Sequence, residues 1–314
     1  MPFLVRRSLR QQEQAQTIMD TTLLTLHNLK KTYGNKTAVN IDSLAIQPHS
    51  FTCIVGKSGC GKTTLLRLLA GLETPDTVTN VKDQTTASYS TTGQNTNVAS
   101  CITGLPAKTA PVFQEPRLMP WLTVKENIMF SLKGLDGNTQ YANQNQRAVP
   151  NLSADSENKT EKTQKQNPSS ANTDVSLPSP EERCRQLLQE LELTEASALY
   201  PSQLSGGMAQ RVSLGRTLFY DPELILMHEP FSALDYFTRR NLQDMVLRLF
   251  HHQKKTILFV THDVEEALLL GDRILVMENG NIKADMSVNL PTPRKAADSE
   301  LQKMRQQILD LLAE

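Results

Sequence analysis

A short glycine-rich segment constrains the fold of this chain more than any other feature. Gly56–Thr63 reads GKSGCGKT and fits the pattern G-x-x-x-x-G-K-[ST]. The apolar run Phe51–Val55 comes directly before it, and apolar residues at helical spacing follow over Thr63–Leu72. Glycines let backbone N–H groups approach phosphate oxygens, and the start of a helix adds a positive potential. The pattern therefore predicts a strand, a phosphate-binding loop and a helix.

Each residue type in this loop has a predicted role toward ATP. Lys62 bridges the β- and γ-phosphates, and the Thr63 hydroxyl is offered to Mg²⁺. Cys60 is a small filler, although an exposed thiol at this position would make the site sensitive to alkylation. The predicted nucleotide contacts of the loop are Gly56, Lys57, Ser58, Gly59, Cys60, Gly61, Lys62, Thr63 and Thr64.

The rest of the chain alternates between strand and helix patterns. Strand-like segments run from Thr37 to Val55, an amphipathic helix opens at Pro180, and helices alternate with strands to about Met286. This alternation is typical of an α/β core with a largely parallel sheet. After Ser299 a helix is predicted that packs on its own domain or on a partner, because one face collects Leu301, Met304, Ile308, Leu311 and Leu312.

Polar stretches set the predicted domain boundaries. Residues 1–18 are polar and Gln-rich. This composition predicts either a disordered tail or a stretch that is included only because a start codon upstream of the true one was chosen. Residues 76–109 combine Thr, Ser, Asn and Gln with isolated apolar residues, as short edge strands joined by a polar loop would. Residues 136–180 hold too little apolar surface to offset their ordering entropy, so a disordered insertion is predicted. The main domain is thus predicted at 19–286, with a helical extension at 287–314.

Composition excludes several classes of protein. The 33 Lys+Arg residues balance the 33 Asp+Glu residues, so bulk charge does not indicate a polyanion-binding surface. No run approaches the roughly 18 apolar residues that a bilayer-spanning helix requires. The first residues lack the apolar region of a secretory signal, so cytosolic residence is expected. Reduced thiols are expected, because four scattered cysteines suit neither a CxxC metal site nor a disulfide framework: Cys53, Cys60, Cys101 and Cys184.

A second glycine-rich turn carries the family resemblance. Leu204–Arg211 reads LSGGMAQR, which alone could be an ordinary entry into a helix. This segment resembles the signature motif of ABC-transporter ATPases. The other motifs of that family, including the phosphate loop, occur here in the family's order. The matches are Tyr33 for the aromatic that stacks on adenine, Gln114 for the Q-loop, Glu229 for the catalytic carboxylate after Walker B, Ser232–Asp235 for the D-loop and His262 for the switch histidine.

The resemblance implies an architecture and an assembly. The fold would be a P-loop NTPase core with a mainly parallel sheet, an antiparallel β subdomain and a helical subdomain that carries the signature motif. Two copies would form a head-to-tail dimer, in which ATP at Lys62 of one copy is closed over by Ser205 and Gly207 of the other. Gly206 and Asp235 complete the implied nucleotide contacts.

Catalytic and metal roles follow from the same resemblance. Glu229 would polarise the attacking water, with His262 and Gln114 contacting the γ-phosphate, the water or Mg²⁺. The implied Mg²⁺ ligands are Thr63 and Gln114. Positioning and charge stabilisation would then supply most of the catalysis, as in phosphoryl transfer generally.

The branch of the family is narrowed by Phe113–Val124 and by Pro293-Arg294 with the helix after it. These resemble the ATPases of nitrate, sulfonate and taurine importers, and importers of bicarbonate or of a thiamine pyrimidine precursor share them. The implied partners are a second copy, transmembrane permease subunits and, indirectly, a periplasmic or lipid-anchored solute-binding protein, but no nucleic acid. The implied location is the cytoplasmic face of the membrane, peripherally through the permease. The choice of substrate belongs to the permease and the binding protein.

Three of these roles have a plain structural alternative. Glu229 could be a solvated surface carboxylate, and His262 could be a histidine satisfied in the core. Tyr33 could pack in the core instead of stacking on a base. The exposure of these three side chains and their hydrogen-bond partners distinguish the implied roles from the structural alternatives.

One position departs from the family pattern. Walker B in this family ends in Asp directly before the catalytic Glu, whereas here His228 precedes Glu229. A neutral imidazole can accept a hydrogen bond from a Mg²⁺-bound water, but it adds no negative charge and prefers softer metals. Natural drift, a coding error and reduced activity are all open.

The expected function is therefore ATP hydrolysis that energises import of a small solute. The alternative is a nucleotide-binding subunit that closes on ATP without efficient hydrolysis. A soluble ABC protein that acts on DNA or ribosomes is disfavoured, because the chain has one cassette, no long heptad run and no basic excess.

Overall fold

The computed structural model describes residues 22–76, 101–133 and 178–313. The predicted tail at 1–18 lies outside the described residues. The same holds for most of the polar stretches predicted at 76–109 and 136–180. Of these two stretches the structure describes residue 76, residues 101–109 and residues 178–180, and within them Ile102–Thr103 forms a short strand.

The larger sheet forms the centre of the molecule. Its strands are β3 (Phe51–Val55), β5 (Thr109–Val112), β6 (Leu224–His228), β7 (Thr256–Thr261), β8 (Arg273–Glu278) and β9 (Asn281–Ser287). Across the described residues their order is β5, β6, β7, β3, β8, β9. All neighbours pair in parallel except β8 and β9, which pair antiparallel. The predicted α/β core with a mainly parallel sheet is confirmed.

Both faces of this sheet are buried. In β6, Ile225 and Met227 belong to one apolar cluster, while Leu224 and Leu226 belong to a second cluster on the opposite face. The same alternation appears in β7 with Ile257 and Phe259 against Leu258 and Val260. Parallel strands covered on both sides read as continuous apolar runs, which is how they appear in the sequence.

A smaller antiparallel sheet covers one side of the core. It consists of β1 (Leu24–Tyr33), β2 (Lys36–Ile46) and β4 (Ile102–Thr103), in the order β2, β1, β4. Its buried leucines join the second cluster, which also contains the apolar face of the helix after the phosphate loop. This sheet is the predicted antiparallel β subdomain. Ile102, which the sequence assigns to a short edge strand, pairs with Leu26 in β4.

Helices cover the other faces. They are α1 (Lys62–Leu69), α2 (Val124–Ile128), α3 (Phe130–Lys133), α4 (Pro180–Glu190), α5 (Gly206–Tyr220), α6 (Tyr236–Gln253), α7 (Val264–Leu270) and α8 (Ser299–Ala313). Helices α2 to α4 pack on α5, which gives the predicted helical subdomain around the signature motif. Helix α4 starts where the sequence predicts, because Ser179 caps it and Pro180 fits its first turn. Among the described helices, none has the length and apolar character needed to cross a membrane.

The last helix packs on its own chain. Leu301 and Ile308 are fully buried in the main cluster, and Met304, Leu311 and Leu312 pack against that cluster. The Lys283 ammonium in β9 donates to the Leu311 carbonyl at 2.7 Å. Of the two predicted roles for this helix, packing on its own domain is therefore the one observed.

Candidate functional site

The phosphate loop joins β3 to α1 and leaves no room for side chains at two of its glycines. A side-chain carbon on Gly56 would lie 2.3 Å from the Met277 carbonyl oxygen, and one on Gly61 would lie 2.0 Å from the Ala38 carbonyl oxygen. Gly61 also has φ 112, a conformation that favours glycine. The glycines that the motif requires are thus fixed by close backbone contacts.

Lys62 is the charged centre of the loop. Its side chain is buried, and its ammonium donates to the Gly56 carbonyl at 2.7 Å and to the Lys57 carbonyl at 3.0 Å. The Cys60 sulfur lies 3.8 Å from the same ammonium, and Cys60 is buried. Cys60 is therefore a filler and not an exposed thiol. Lys36 adds a second ammonium to the loop. It lies 3.9 Å from the position that a Cβ atom on Gly59 would occupy. Sequence reasoning missed this residue.

The parallel sheet brings the three predicted catalytic residues to the edge where this loop lies. Strands β3, β6 and β7 are parallel neighbours, so their carboxyl ends meet at one edge of the sheet. Glu229 directly follows β6 and His262 directly follows β7. Gln114 follows β5, which pairs with β6. The fold explains why residues so far apart in sequence meet.

Glu229 and His262 are hydrogen-bonded to each other. Glu229 Oε2 lies 3.0 Å from His262 Nδ1, and the histidine side chain is 59% exposed. Glu229 has φ 43, unusual for a residue with a side chain, and its N–H donates to the Val260 carbonyl at 2.8 Å. The carboxylate is thus aimed by a strained turn and has a specific partner. These contacts do not describe a free surface carboxylate or a core histidine.

His228 contacts the Thr63 hydroxyl. His228 Nε2 lies 2.7 Å from Thr63 Oγ1. Burial lowers the pKa of His228, the charges of Lys62 and Arg67 lower it further, and Glu229 opposes them. The imidazole is therefore neutral near pH 7. Thr63, a predicted Mg²⁺ ligand, is thus in direct contact with the position where the family resemblance places a carboxylate, and neither side chain carries a negative charge here.

These residues do not fit a tightly held Mg²⁺. This ion prefers oxygen ligands, usually including carboxylates, whereas the Thr63 hydroxyl is engaged by an imidazole nitrogen. In the described ranges, no group of three His, Cys, Asp or Glu side chains could hold a metal ion. The predicted ligands Thr63 and Gln114 line one cavity, in which His228 takes the position where the family resemblance places a carboxylate.

This cavity lies between the phosphate loop helix and β5. Its volume is about 280 Å³, and Thr63, Gln114 and His228 line it together with Arg67 and Arg117. Sequence reasoning missed the two arginines. Arg67 could have been found, because it follows Thr63 by one helical turn and so shares its face of α1.

The Q-loop is fastened to the signature helix. On α5, Gln210 donates to the Phe113 carbonyl at 3.2 Å, and the Arg216 guanidinium donates to the carbonyls of Pro116 and Arg117 at 3.0 and 2.9 Å. Burial lowers the pKa of Arg216. A shift of this helix would therefore move the loop that carries Gln114.

Tyr33 lies beside α1. Its side chain is half exposed, which excludes the alternative of core packing. The hydroxyl donates to the Glu73 carboxylate and also contacts Thr64, while Arg67 pairs with the same carboxylate at 3.0 Å. The hydrogen bond to Glu73 is the main cause that raises the pKa of Tyr33. Glu73 thus orients an exposed ring near the loop.

The signature motif lies against the D-loop of its own chain. Ser205 caps α5 by accepting from the Met208 N–H at 3.3 Å. A side-chain carbon on Gly207 would lie 2.4 Å from Thr238 Cγ2, and one on Gly206 would lie 3.6 Å from Leu234. Asp235 caps α6, and its pKa is held below the usual value by the hydrogen bond with the Thr238 side chain and by those from the capping N–H groups. Ser205 and Gly206 remain exposed.

Comparison with known proteins agrees with this geometry. The model of the ABC transporter family matches residues 39–232. The aliphatic sulfonates import ATP-binding protein SsuB of Granulibacter bethesdensis is 35% identical over 292 residues, which covers 93% of this chain and 95% of that protein. SsuB 1 of Agrobacterium fabrum is 32% identical over 285 residues, with 91% and 82% coverage.

Solved structures of similar fold are ATP-binding cassettes. The dimeric bacterial ABC transporter cassette MJ0796 matches with a TM-score of 0.55 and 26% identity, over 85% of this chain and all of that one. The ADP conformation of the cassette MJ1267 matches with a TM-score of 0.61 and 19% identity, over 93% and 98%. The family model, the sequence relatives and the fold agree, and this chain belongs to the ATP-binding proteins of the ABC transporter family.

Proposed function

We propose that this chain is the ATP-binding and ATP-hydrolysing subunit of an importer for a small solute. The observation that carries the proposal is the meeting, at one sheet edge, of the phosphate loop, the Glu229–His262 pair and Gln114. Among the solutes considered, which include nitrate and taurine, an aliphatic sulfonate is favoured by the names of the similar proteins.

The chain's own groups suit the binding of a triphosphate. The backbone N–H groups of the loop, the start of α1 and the Lys62 ammonium give a concentrated positive potential. Phosphate oxygens would replace the carbonyls that Lys62 now contacts. The half-exposed ring of Tyr33 would stack on the base, since stacking requires an accessible aromatic face.

In this proposal Glu229 is the residue that orients and deprotonates the attacking water. A carboxylate that is partly exposed and held by His262 can orient a water and accept its proton. His262 would stabilise charge that develops on the γ-phosphate or the water. Thr63 and Gln114 as Mg²⁺ ligands remain a prediction, and no step here depends on them.

The site is completed by a second copy in this proposal. Ser205, Gly206 and Gly207 would close over the nucleotide of the partner in a head-to-tail dimer, and Asp235 would contact it. The exposure of Ser205 and Gly206 and the dimeric state of the MJ0796 cassette support this arrangement. Permease subunits would hold the dimer at the cytoplasmic face of the membrane and connect it to a solute-binding protein.

A second candidate is favoured by the contact between His228 and Thr63. Because this pair supplies no negative charge, the chain could bind ATP yet hydrolyse it slowly. ATP turnover and ATP binding by the purified wild type and Glu229→Gln test both candidates. Turnover that Glu229→Gln abolishes supports the first. Binding with no turnover in the wild type supports the second, and absence of binding contradicts both.

A further inference from the structure

A buried carboxylate lies just outside the proposed catalytic residues. Glu266 is on α7, one helical turn beyond His262, and is only 6% exposed. The Thr261 hydroxyl donates to Glu266 Oε2 at 2.5 Å, and the Gln243 amide donates to Oε1 at 2.9 Å. Each carboxylate oxygen therefore has a partner, and the two partners come from different elements.

Both neighbours of His262 are held by this group of residues. Thr261, directly before the histidine, bonds to Glu266 and also accepts the Asp263 N–H at 3.1 Å. Asp263, directly after it, caps α7 through the N–H groups of Glu265 and Glu266. The backbone of the switch histidine is thus fixed on both sides.

The other end of the group is helix α6, which starts directly after the D-loop. Gln243 is on this helix. Arg239, also on α6, donates to the Leu234 carbonyl in the D-loop at 3.0 Å and lies 4.0 Å from Asp263. Two links therefore connect the His262 loop to α6, one through Glu266 and one through Arg239.

A carboxylate is a costly choice for a position that only fills space. Taking a charged group out of water is unfavourable unless donors compensate it, and a Leu or Met would pack the same volume without that cost. Burial raises the pKa of Glu266, and the two hydrogen bonds oppose that rise. The hydrogen bonds to Thr261 and Gln243 explain why a carboxylate is present at this buried position, whereas packing alone does not.

We propose that Glu266 is a positioning residue for ATP hydrolysis. By bonding Thr261 and Gln243 at once, it makes the His262 loop and the helix after the D-loop move as one unit. This inference rests on the proposed hydrolytic function. Glu266 touches neither nucleotide nor water in this account and acts only through the placement of His262.

The test compares Glu266→Gln with Glu265→Gln, a matched change at the less buried neighbouring position. For Glu266→Gln we expect kcat to fall about tenfold, the scale of a hydrogen bond to a charged group, with Kd for a fluorescent ATP analogue changed less than about twofold. Glu265→Gln should leave both unchanged. If Glu266 and Thr261 act through one bond, Thr261→Val combined with Glu266→Gln should cost no more than the larger single effect.

Two results would overturn the proposal. One is an unchanged kcat in Glu266→Gln. The other is a matching loss of ATP affinity and of kcat, which a general structural defect would give. If the wild type itself hydrolyses no ATP, the proposed function fails, and hydrogen exchange then tests the coupling alone. Faster exchange at both 234–238 and 261–264 in Glu266→Gln supports it, and unchanged exchange at either segment contradicts it.

Discussion

Two histidines at the ends of neighbouring parallel strands behave differently. His228 ends β6, is half buried and contacts the Thr63 hydroxyl at 2.7 Å. His262 follows β7, is mostly exposed and pairs with Glu229. His262 is therefore the partner of a carboxylate. His228 occupies the position where the family resemblance places a carboxylate.

The difference shows how charge is divided across the site. Glu229 supplies the negative charge near His262, while the phosphate loop side carries Lys62 and Arg67, whose charges help burial to lower the pKa of His228. An anion such as a phosphate is favoured on that side, and a free cation is not. The chain thus carries the groups predicted for phosphate binding and for the attacking water, but it has a histidine where the family resemblance places a carboxylate that supports the metal ion.

The largest effect should come from removing the charge beside His262. In Glu229→Gln we expect ATP turnover to fall by about 10³-fold with ATP binding retained, because general base catalysis contributes 10²–10⁴-fold. Turnover by phosphate release and binding by a fluorescent ATP analogue measure the two quantities. Glu223→Gln, an exposed position before β6, is the matched control. Full turnover in Glu229→Gln would remove this carboxylate from its proposed role.

Restoring a charge at the other histidine should have the next largest effect. Two unit charges about 5 Å apart interact by about 3 kcal/mol at an effective dielectric near 20, or about two powers of ten. In His228→Asp we therefore expect a lower Mg²⁺ requirement, by up to that factor, and faster turnover at low Mg²⁺. An ATPase titration against Mg²⁺ measures both.

His228→Asn is the control, since it matches Asp in size without the charge. If wild type and His228→Asp saturate at the same Mg²⁺ concentration and rate, the histidine is neutral for catalysis. The chain is then an ordinary transport ATPase.

Removing His262 should cost less than removing its partner. The change His262→Ala deletes one hydrogen bond to a carboxylate, worth about 2 kcal/mol, so turnover should fall roughly thirtyfold. Steady-state turnover at saturating ATP is the measurement, with the exposed His252→Ala as control. A loss as large as that of Glu229→Gln would mean that the histidine does more than hold the carboxylate.

The smallest effect is expected from the polar stretch that the sequence predicts to be a dispensable insertion. Replacing residues 136–177 by a short Gly/Ser linker should change turnover by less than about twofold and Tm by only about 2 °C, because loop length affects stability logarithmically. A longer replacement that also removes Ser179 deletes the cap of α4 and should cost about 1 kcal/mol more. Equal effects of the two replacements, or a large fall in Tm from the shorter one, would contradict this prediction.

Local patterns were sufficient to predict much of the fold and the site. The phosphate loop, the alternation of helix and strand and the start of α4 at Pro180 depend on residues close together in sequence. The meeting of Glu229, His262 and Gln114 was implied only through the family resemblance, since the ends of β5, β6 and β7 are brought together by strand order.

Contacts between distant elements could not be predicted. The sequence marked His228 as unusual but gave no sign that it bonds Thr63, because that contact depends on how α1 lies on the sheet. Arg216 and Glu266 were missed for the same reason. Each looks like an ordinary charged helix residue until its partners, which come from other elements, are known.

The burial of β6 has a consequence for how variants of this chain should be screened. Four of its residues are almost completely buried in two apolar clusters, whereas His228, the last, is only partly buried. A substitution at His228 is therefore expected to act on the proposed reaction while leaving the packing of the sheet intact. Yield, solubility and melting temperature would then be the same for an active and an inactive protein. Selection for a well-behaved protein therefore cannot detect loss of function at this position, and only a measurement of turnover can.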